Sequence, residues 1–280
     1  MSEFILNAFA DESSGELAGQ IDALKRNGLS GLEIRGIDGQ NVGEITLDKA
    51  KEIKTRLDAE GLNTWSIGSR LGKIGIDEDP TAHYEEFKHT IEVARILDAK
   101  YIRMFSFFMP KDADYSDYTD EVMARLTKFT EMAKGSGVKL CHENEKGIYG
   151  DIAPRCLEIA KAFPDMGVIF DPANYVQCGQ DTLEAWEMLK DRVTYMHIKD
   201  ALSDGSVVPA GKGEGNVKFI LGEYKKLGGI GLTLEPHLKV FSGLKDLEQE
   251  GDTSVVGEKF EYPTNEAAFD AAVAALKEII

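Results

Sequence analysis

The sequence predicts an α/β fold, a (β/α)8 TIM barrel in a single domain, on three observations. Short β-rich runs alternate with stretches of helical period from end to end, eight such pairs fit within 280 residues, and no Pro-, Gly- or Ser-rich linker divides them. Barrels of this kind typically run to ~250 residues, and a chain of this size buries roughly three quarters of its unfolded surface. A doubly wound open sheet is the alternative, but no predicted strand runs into a G-x-G-x-x-G turn.

Each element has its own signal. Phe4 to Ala10 reads as the first strand, and Leu17, Ile21 and Leu24 mark one face of a helix that stops at Asn27-Gly28. Gly31 to Arg35 is the second strand. A helix from Leu47 to Glu60 ends at Gly61, and Leu62 to Ile67 is the third strand. Pro80 opens the next helix, with Tyr84, Phe87, Ile91, Ala94 and Leu97 on its core face. Tyr101 to Phe105, a helix over Asp117 to Lys134, and Val138 to Glu143 follow, with a Gly135-Ser136-Gly137 break before the last of these. Ile152 to Phe163 pairs with Gly167 to Asp171, and Leu183 to Leu189 with Val193 to Ile198. Val217 to Leu227 ends at Gly228-Gly229, Gly231 to Glu235 is the eighth strand, and the Ala-rich run Glu266 to Ile280 closes the chain. Pro236 to Tyr262 breaks the short-loop pattern. Loops of that length serve as lids, contacts or disordered excursions, and the eight acidic residues against the single Lys259 between Asp246 and Asp270 read as a solvated surface.

Composition excludes several classes of function. Forty-nine acidic against 32 basic residues give a net charge of −17, which repels nucleic-acid phosphates and anionic lipid alike. Cys141, Cys156 and Cys178 are odd in number, far apart and in no C-x-x-C pair, so neither a disulfide framework nor a thiolate zinc site is expected and the compartment reads as the reducing cytoplasm. Met1 to Gly15 has no basic segment before an apolar run, and no stretch reaches the ~18 apolar residues of a membrane span. A small molecule is the expected partner; a homo-oligomer is compatible with the sequence.

In a barrel the active site is assembled at the carboxyl ends of the strands. The fifth predicted strand ends at Glu143, the sixth at Asp171, the seventh carries His197 and the eighth ends at Glu235. Side-chain alternation places Cys141 and Glu143 on one face, and Tyr195, His197 and Lys199 on one face of the seventh strand, so the four residues can point inward together. Any one of these carboxylates alone is as readily a loop cap, and a lone histidine a buried structural one. Together, three carboxylates and one imidazole suit a divalent ion of the Mn²⁺, Mg²⁺ or Co²⁺ kind, whereas Zn²⁺ favours more nitrogen or sulfur.

At these residues the sequence resembles the sugar phosphate isomerase/epimerase family of xylose-isomerase-like barrels. Besides the four positions, the resemblance rests on Ala8-Phe9-Ala10-Asp11-Glu12, Leu32-Glu33-Ile34-Arg35-Gly36, Ile67-Gly68-Ser69, His142-Glu143-Asn144 and His197-Ile198-Lys199-Asp200, in order over most of the chain. It implies that Glu143, Asp171, His197 and Glu235 hold a metal ion and that Glu143 and Glu235 also act as the acid/base pair. A cation holding two substrate oxygens stabilises an enediolate, and two carboxylates flanking the substrate move its proton, which gives epimerisation or isomerisation. The alternatives are a lyase on the same site, dehydrating a polyol-like ring or cleaving a C-glycoside by elimination, and a non-catalytic sugar-binding barrel. The DNA-repair endonucleases of the same superfamily add histidines, one of them three residues after the Asp; Asn174 stands there, and the third and fourth strands end in Ser66-Ile67-Gly68 and Phe105-Ser106.

The other polar residues near the expected mouth are assigned to substrate binding. Lys199 is two positions beyond His197 on the same face, where it polarises a substrate oxygen or forms a salt bridge within the barrel; Arg35, Glu145 and His237 sit near strand ends; His142 has the opposite parity to Glu143, which turns it toward the helices or a partner behind the site. Arg70 and Lys73 in Gly68-Ser69-Arg70-Leu71-Gly72-Lys73, and Lys212 in Gly211-Lys212-Gly213, bring further cations without forming a P-loop. Trp65, Phe107 and Phe108 are candidates to stack on a sugar ring, although core packing is the commoner use of any single aromatic. With no bidentate phosphate grip in view, a neutral sugar or cyclic polyol is expected over a sugar phosphate.

Overall fold

Eight parallel strands close into a barrel, each paired with the next and the last with the first. They are β1 (Ile5–Ala8), β2 (Gly31–Ile34), β3 (Asn63–Ile67), β4 (Tyr101–Met104), β5 (Lys139–Glu143), β6 (Gly167–Phe170), β7 (Val193–Ile198) and β8 (Gly231–Leu234). The helices that follow them are α1 (Leu17–Arg26), α2 (Leu47–Ala59), α3 (Thr81–Ile96), α4 (Thr119–Ala133), α5 (Ala153–Ala162), α6 (Thr182–Leu189), α7 (Val217–Lys226) and α8 (Asn265–Ile279). The computed structural model describes residues 3–241, 244, 256–257 and 259–280. Much of the expected 236–262 excursion, with Asp246, Glu248, Glu250, Asp252 and Glu258, lies outside the described residues.

Local chemistry explains where the helices start. Thr46, Asp181 and Thr264 accept hydrogen bonds from the first-turn amides of α2, α6 and α8, which have no intrahelical partner. Each helix buries one stripe; in α1 it is Leu17, Gln20, Ile21, Ala23 and Leu24. Together these stripes and the outward faces of the strands form the main apolar core. Inside the barrel a second, small cluster of Trp65, Cys141, Ile169 and Tyr195 makes the floor. Two positions beyond Cys141, Ile169 and Tyr195 stand Glu143, Asp171 and His197, so the site rests on a packed apolar layer.

Three features go beyond the sequence reading. Gly36–Ile37 pairs with Gln40–Asn41, and Asp200–Ala201 with Val207–Val208, as two antiparallel ribbons among the loops. A short helix, Pro172–Gln177, follows β6 and is capped by Asp171 itself, whose carboxylate accepts from the Asn174 amide at 3.1 Å. Trp65 and Phe107 are core residues, 5% and 0% exposed, and not sugar-stacking surfaces.

Candidate active site

Glu143 is the last residue of β5, Asp171 follows β6, His197 lies in β7 and Glu235 follows β8. One ligand atom from each falls within 4.8 Å of the others, and all four residues are buried. His197 Nδ1 is 2.7 Å from Glu143 Oε1 and 3.7 Å from Glu235 Oε2. Asp171 spends one oxygen on its helix cap, while its Oδ2 is buried without a hydrogen bond. The four residues named from strand ends therefore converge as a set.

Cations surround the cluster. Lys199 Nζ is 3.1 Å from Asp171 Oδ2 and 3.0 Å from Glu235 Oε2. Arg103 Nη1 is 3.1 Å from Glu143 Oε2 and 3.6 Å from Glu235 Oε1, so one guanidinium bridges the two carboxylates. The rest of that guanidinium is tied to the Ser69 and Gly68 carbonyls, and it lies between the Phe9 and Phe105 rings. Arg35 grips Asp11 in bidentate fashion, reaches Glu12 and Glu235 Oε1, and is sandwiched between Phe9 and Phe241. With its donors so engaged, Arg35 orients Glu235 and does not present an open fork for substrate, a correction to its expected role.

The electrostatics follow from burial. Burial pushes Asp171 up to about 7, against the pull of Lys199. It would raise Glu235 as well, but Lys199, His237 and His197 together outweigh it and hold that carboxyl well below the usual range. Lys199 itself is raised, because Asp171 and Glu235 more than offset the burial that would lower it. Glu12 is pushed up to about 8 by burial, Arg35 opposing.

A divalent ion fits this donor set. Among the described residues, Asp11, Glu12, Glu33, Glu143, Glu145, Asp171 and Glu235 gather here around Arg35, Arg103, Lys73 and Lys199. The cluster is acidic and buried, and Asp171 Oδ2 accepts no hydrogen bond and has only the Lys199 ion pair at 3.1 Å; a bound cation would serve both features. A second grouping, Glu12, Glu235 and His237, is already neutralised by Arg35 at 3.1 and 3.2 Å.

The remaining sequence candidates divide. Lys73 is buried against Glu145 at 3.2 Å and over the Phe105 ring, so both reach the mouth as an ion pair. His237 stacks on Phe241, with Nε2 at 3.4 Å from Glu12 and 3.7 Å from Glu235. Arg70 turns away to Glu44 and Glu86 on the outer surface. His142 faces away from the site, as its parity requires, and bonds Ser106 Oγ at 2.9 Å. Lys212 is exposed, and the amides of Gly211, Gly213 and Gly215 all turn inward to the Asp200 carboxylate at 2.9 Å. That loop thus offers no amide nest to a phosphate; Arg70 and His142 are engaged with other partners, a correction to their expected places, and Lys212 is exposed.

Sequence patterning did not single out Arg103 or Glu33 as site residues, although the signal was present. Arg103 is in phase with Tyr101 on β4, and Glu33 with Arg35 on β2, which puts a charge at an inward position of each strand.

The class defined by this fold and site is a barrel carrying a buried carboxylate–histidine cluster at the C-terminal strand ends. A family model described as xylose isomerase-like TIM barrel matches residues 21–255, and the chain belongs to that family. Among curated proteins no sequence matches. Solved structures with this fold include the IOLI protein with a zinc atom, at 17% identity and a TM-score of 0.73 over 98% of this chain and 97% of that one. A D-allulose 3-epimerase from Methylomonas sp. in complex with D-allulose is 15% identical, with a TM-score of 0.73 over 100% and 98%. A probable 3-DHS dehydratase, AsbF, from Bacillus anthracis is 15% identical, with a TM-score of 0.72 over 99% of both chains.

Proposed function

We propose that the chain is a divalent-metal-dependent isomerase or epimerase acting on a neutral sugar or cyclic polyol, working as one barrel domain in the reducing cytoplasm. The observation that carries this reading is the convergence of the buried Glu143, Asp171, His197 and Glu235 within 4.8 Å at the C-terminal ends of the strands. These four hold the ion, of the Mn²⁺, Mg²⁺ or Co²⁺ kind by the preponderance of oxygen donors. When bound, such an ion supplies Lewis-acid polarisation of a substrate carbonyl and its neighbouring hydroxyl.

The chain's own residues do the rest. Glu143 and Glu235 come from strands on different sides of the cluster and serve as proton acceptor and donor at the carbon beside the carbonyl. Arg103 touches both and orients them. Lys199 and the Lys73–Glu145 pair face the mouth and read substrate hydroxyls. The cations are matched to carboxylates, which favours an uncharged substrate over a phosphate dianion. β-Elimination of water uses the same carboxylate pair, and this fold also carries a probable dehydratase; product analysis separates the two.

The test is chelation followed by add-back. Removal of metal should abolish exchange of substrate carbon-bound hydrogen with solvent, across a panel of ketoses and inososes, and Mn²⁺ or Co²⁺ should restore it. Full exchange in a demonstrably metal-free preparation would sink the mechanism.

A further inference from the structure

Glu33 lies in the middle of β2, 1% exposed, and no step of the proposed reaction uses it. Its Oε2 is 3.0 Å from His197 Nε2, the imidazole nitrogen that points away from the four-residue cluster. Its Oε1 accepts from the Tyr195 hydroxyl at 3.0 Å, and that hydroxyl is in turn 3.0 Å from Ser66 Oγ. Glu33 is thereby fixed at both oxygens by groups from β7, with Ser66 of β3 bonded to the Tyr195 hydroxyl behind it.

We propose that Glu33 is the positioning residue for His197: it selects the imidazole tautomer that binds metal and sets the ring's angle, with Tyr195 and Ser66 holding Glu33 in register. The inference rests on the metal reading above. Once Nδ1 binds an ion, the ring's one remaining proton is on Nε2, and Glu33, which as a carboxylate only accepts hydrogen bonds, is placed to receive it at 3.0 Å. Nδ1 faces Glu143 at 2.7 Å and Glu235 at 3.7 Å, on the side where an ion would be. A carboxylate behind the ring also raises the imidazole's basicity toward a metal, and removing such a partner typically weakens affinity by roughly 10- to 100-fold. Tyr195 has a second use, because its ring belongs to the apolar floor and couples that floor to the site through one hydroxyl.

The experiment uses Co²⁺ as the probe on the metal-free full-length chain, by calorimetric titration well below the melting temperature, with the melting temperature of the metal-free protein as a second readout. Parent protein that binds no Co²⁺, or His197→Ala that binds it unchanged, overturns the metal reading itself. With Co²⁺ bound by the parent, Glu33→Gln should weaken it by roughly 10- to 100-fold while the metal-free melting temperature stays put. Affinity within about twofold of the parent overturns the assignment, as does a fall in melting temperature with affinity unchanged, the mark of a merely structural residue. If Glu33→Gln does not fold, Tyr195→Phe decides: a loss of about threefold or more supports the relay, and unchanged affinity overturns it.

Discussion

Lys199 Nζ lies 3.1 Å from Asp171 Oδ2, a buried carboxylate oxygen that accepts no hydrogen bond, so an ammonium stands beside the point where a metal ion would ligate. A divalent cation and Lys199 therefore compete for the same charge. At an effective dielectric of about 20, unit charges about 4 Å apart interact by about 4 kcal/mol, which makes the competition large. Lys199→Met is expected to tighten Mn²⁺ binding by about tenfold while lowering kcat/KM by about tenfold or more, because a substrate hydroxyl loses its donor. Titration calorimetry with steady-state kinetics checks both, and looser metal binding in the variant would contradict the competition.

Glu143→Gln and Glu235→Gln each retain an oxygen for weak coordination but lose the base. With metal occupancy confirmed by elemental analysis, kcat should fall by roughly 10²- to 10⁴-fold in each. Near-normal turnover in either would remove that residue from the acid/base pair.

The two lysine- and arginine-bearing positions of the 68–73 loop should behave differently. Arg70 points to Glu44 and Glu86, so Arg70→Ala should leave kcat/KM within about twofold. Lys73 is buried against Glu145, and Lys73→Ala leaves that carboxylate unpaired at the mouth, which should raise KM by about tenfold. Matched free and phosphorylated sugars provide the substrates. A clear preference for the phosphate, lost in Lys73→Ala, would overturn the neutral-substrate reading.

His142 supplies a pH test independent of the metal. Burial pushes its imidazole down to about 3 from an ordinary value of 6.5. Between those values the unfolded chain binds a proton that the folded chain does not, so stability rises with pH across this window and levels off above it. As pH falls from 6.5 toward 5, the stability advantage of the parent over His142→Gln should shrink by up to about 1.4 kcal/mol per pH unit. Urea denaturation at stepped pH measures it; a constant gap would mean that His142 stays neutral in both states or charged in both.

The sequence by itself determined the barrel and its four-residue centre. Eight alternating elements leave few topologies, and strand parity alone assigns Glu143, His197 and Glu235 to the interior, because successive side chains on a strand face opposite ways. Tertiary structure decided which charges meet. Arg35 was placed correctly at a strand end, yet its engagement with Asp11, Glu12 and Glu235 depends on contacts across 24, 23 and 200 residues of sequence. Lys212 sits in a glycine-rich loop that suggests a phosphate cradle until Asp200 turns the amides inward. Glu33 and Arg103 look like ordinary strand residues until barrel closure brings them against His197 and Glu143. Periodicity is a local property and is written along the chain. Pairing among buried charges depends on distances of a few ångströms between strands remote in sequence, and only the closed barrel sets those.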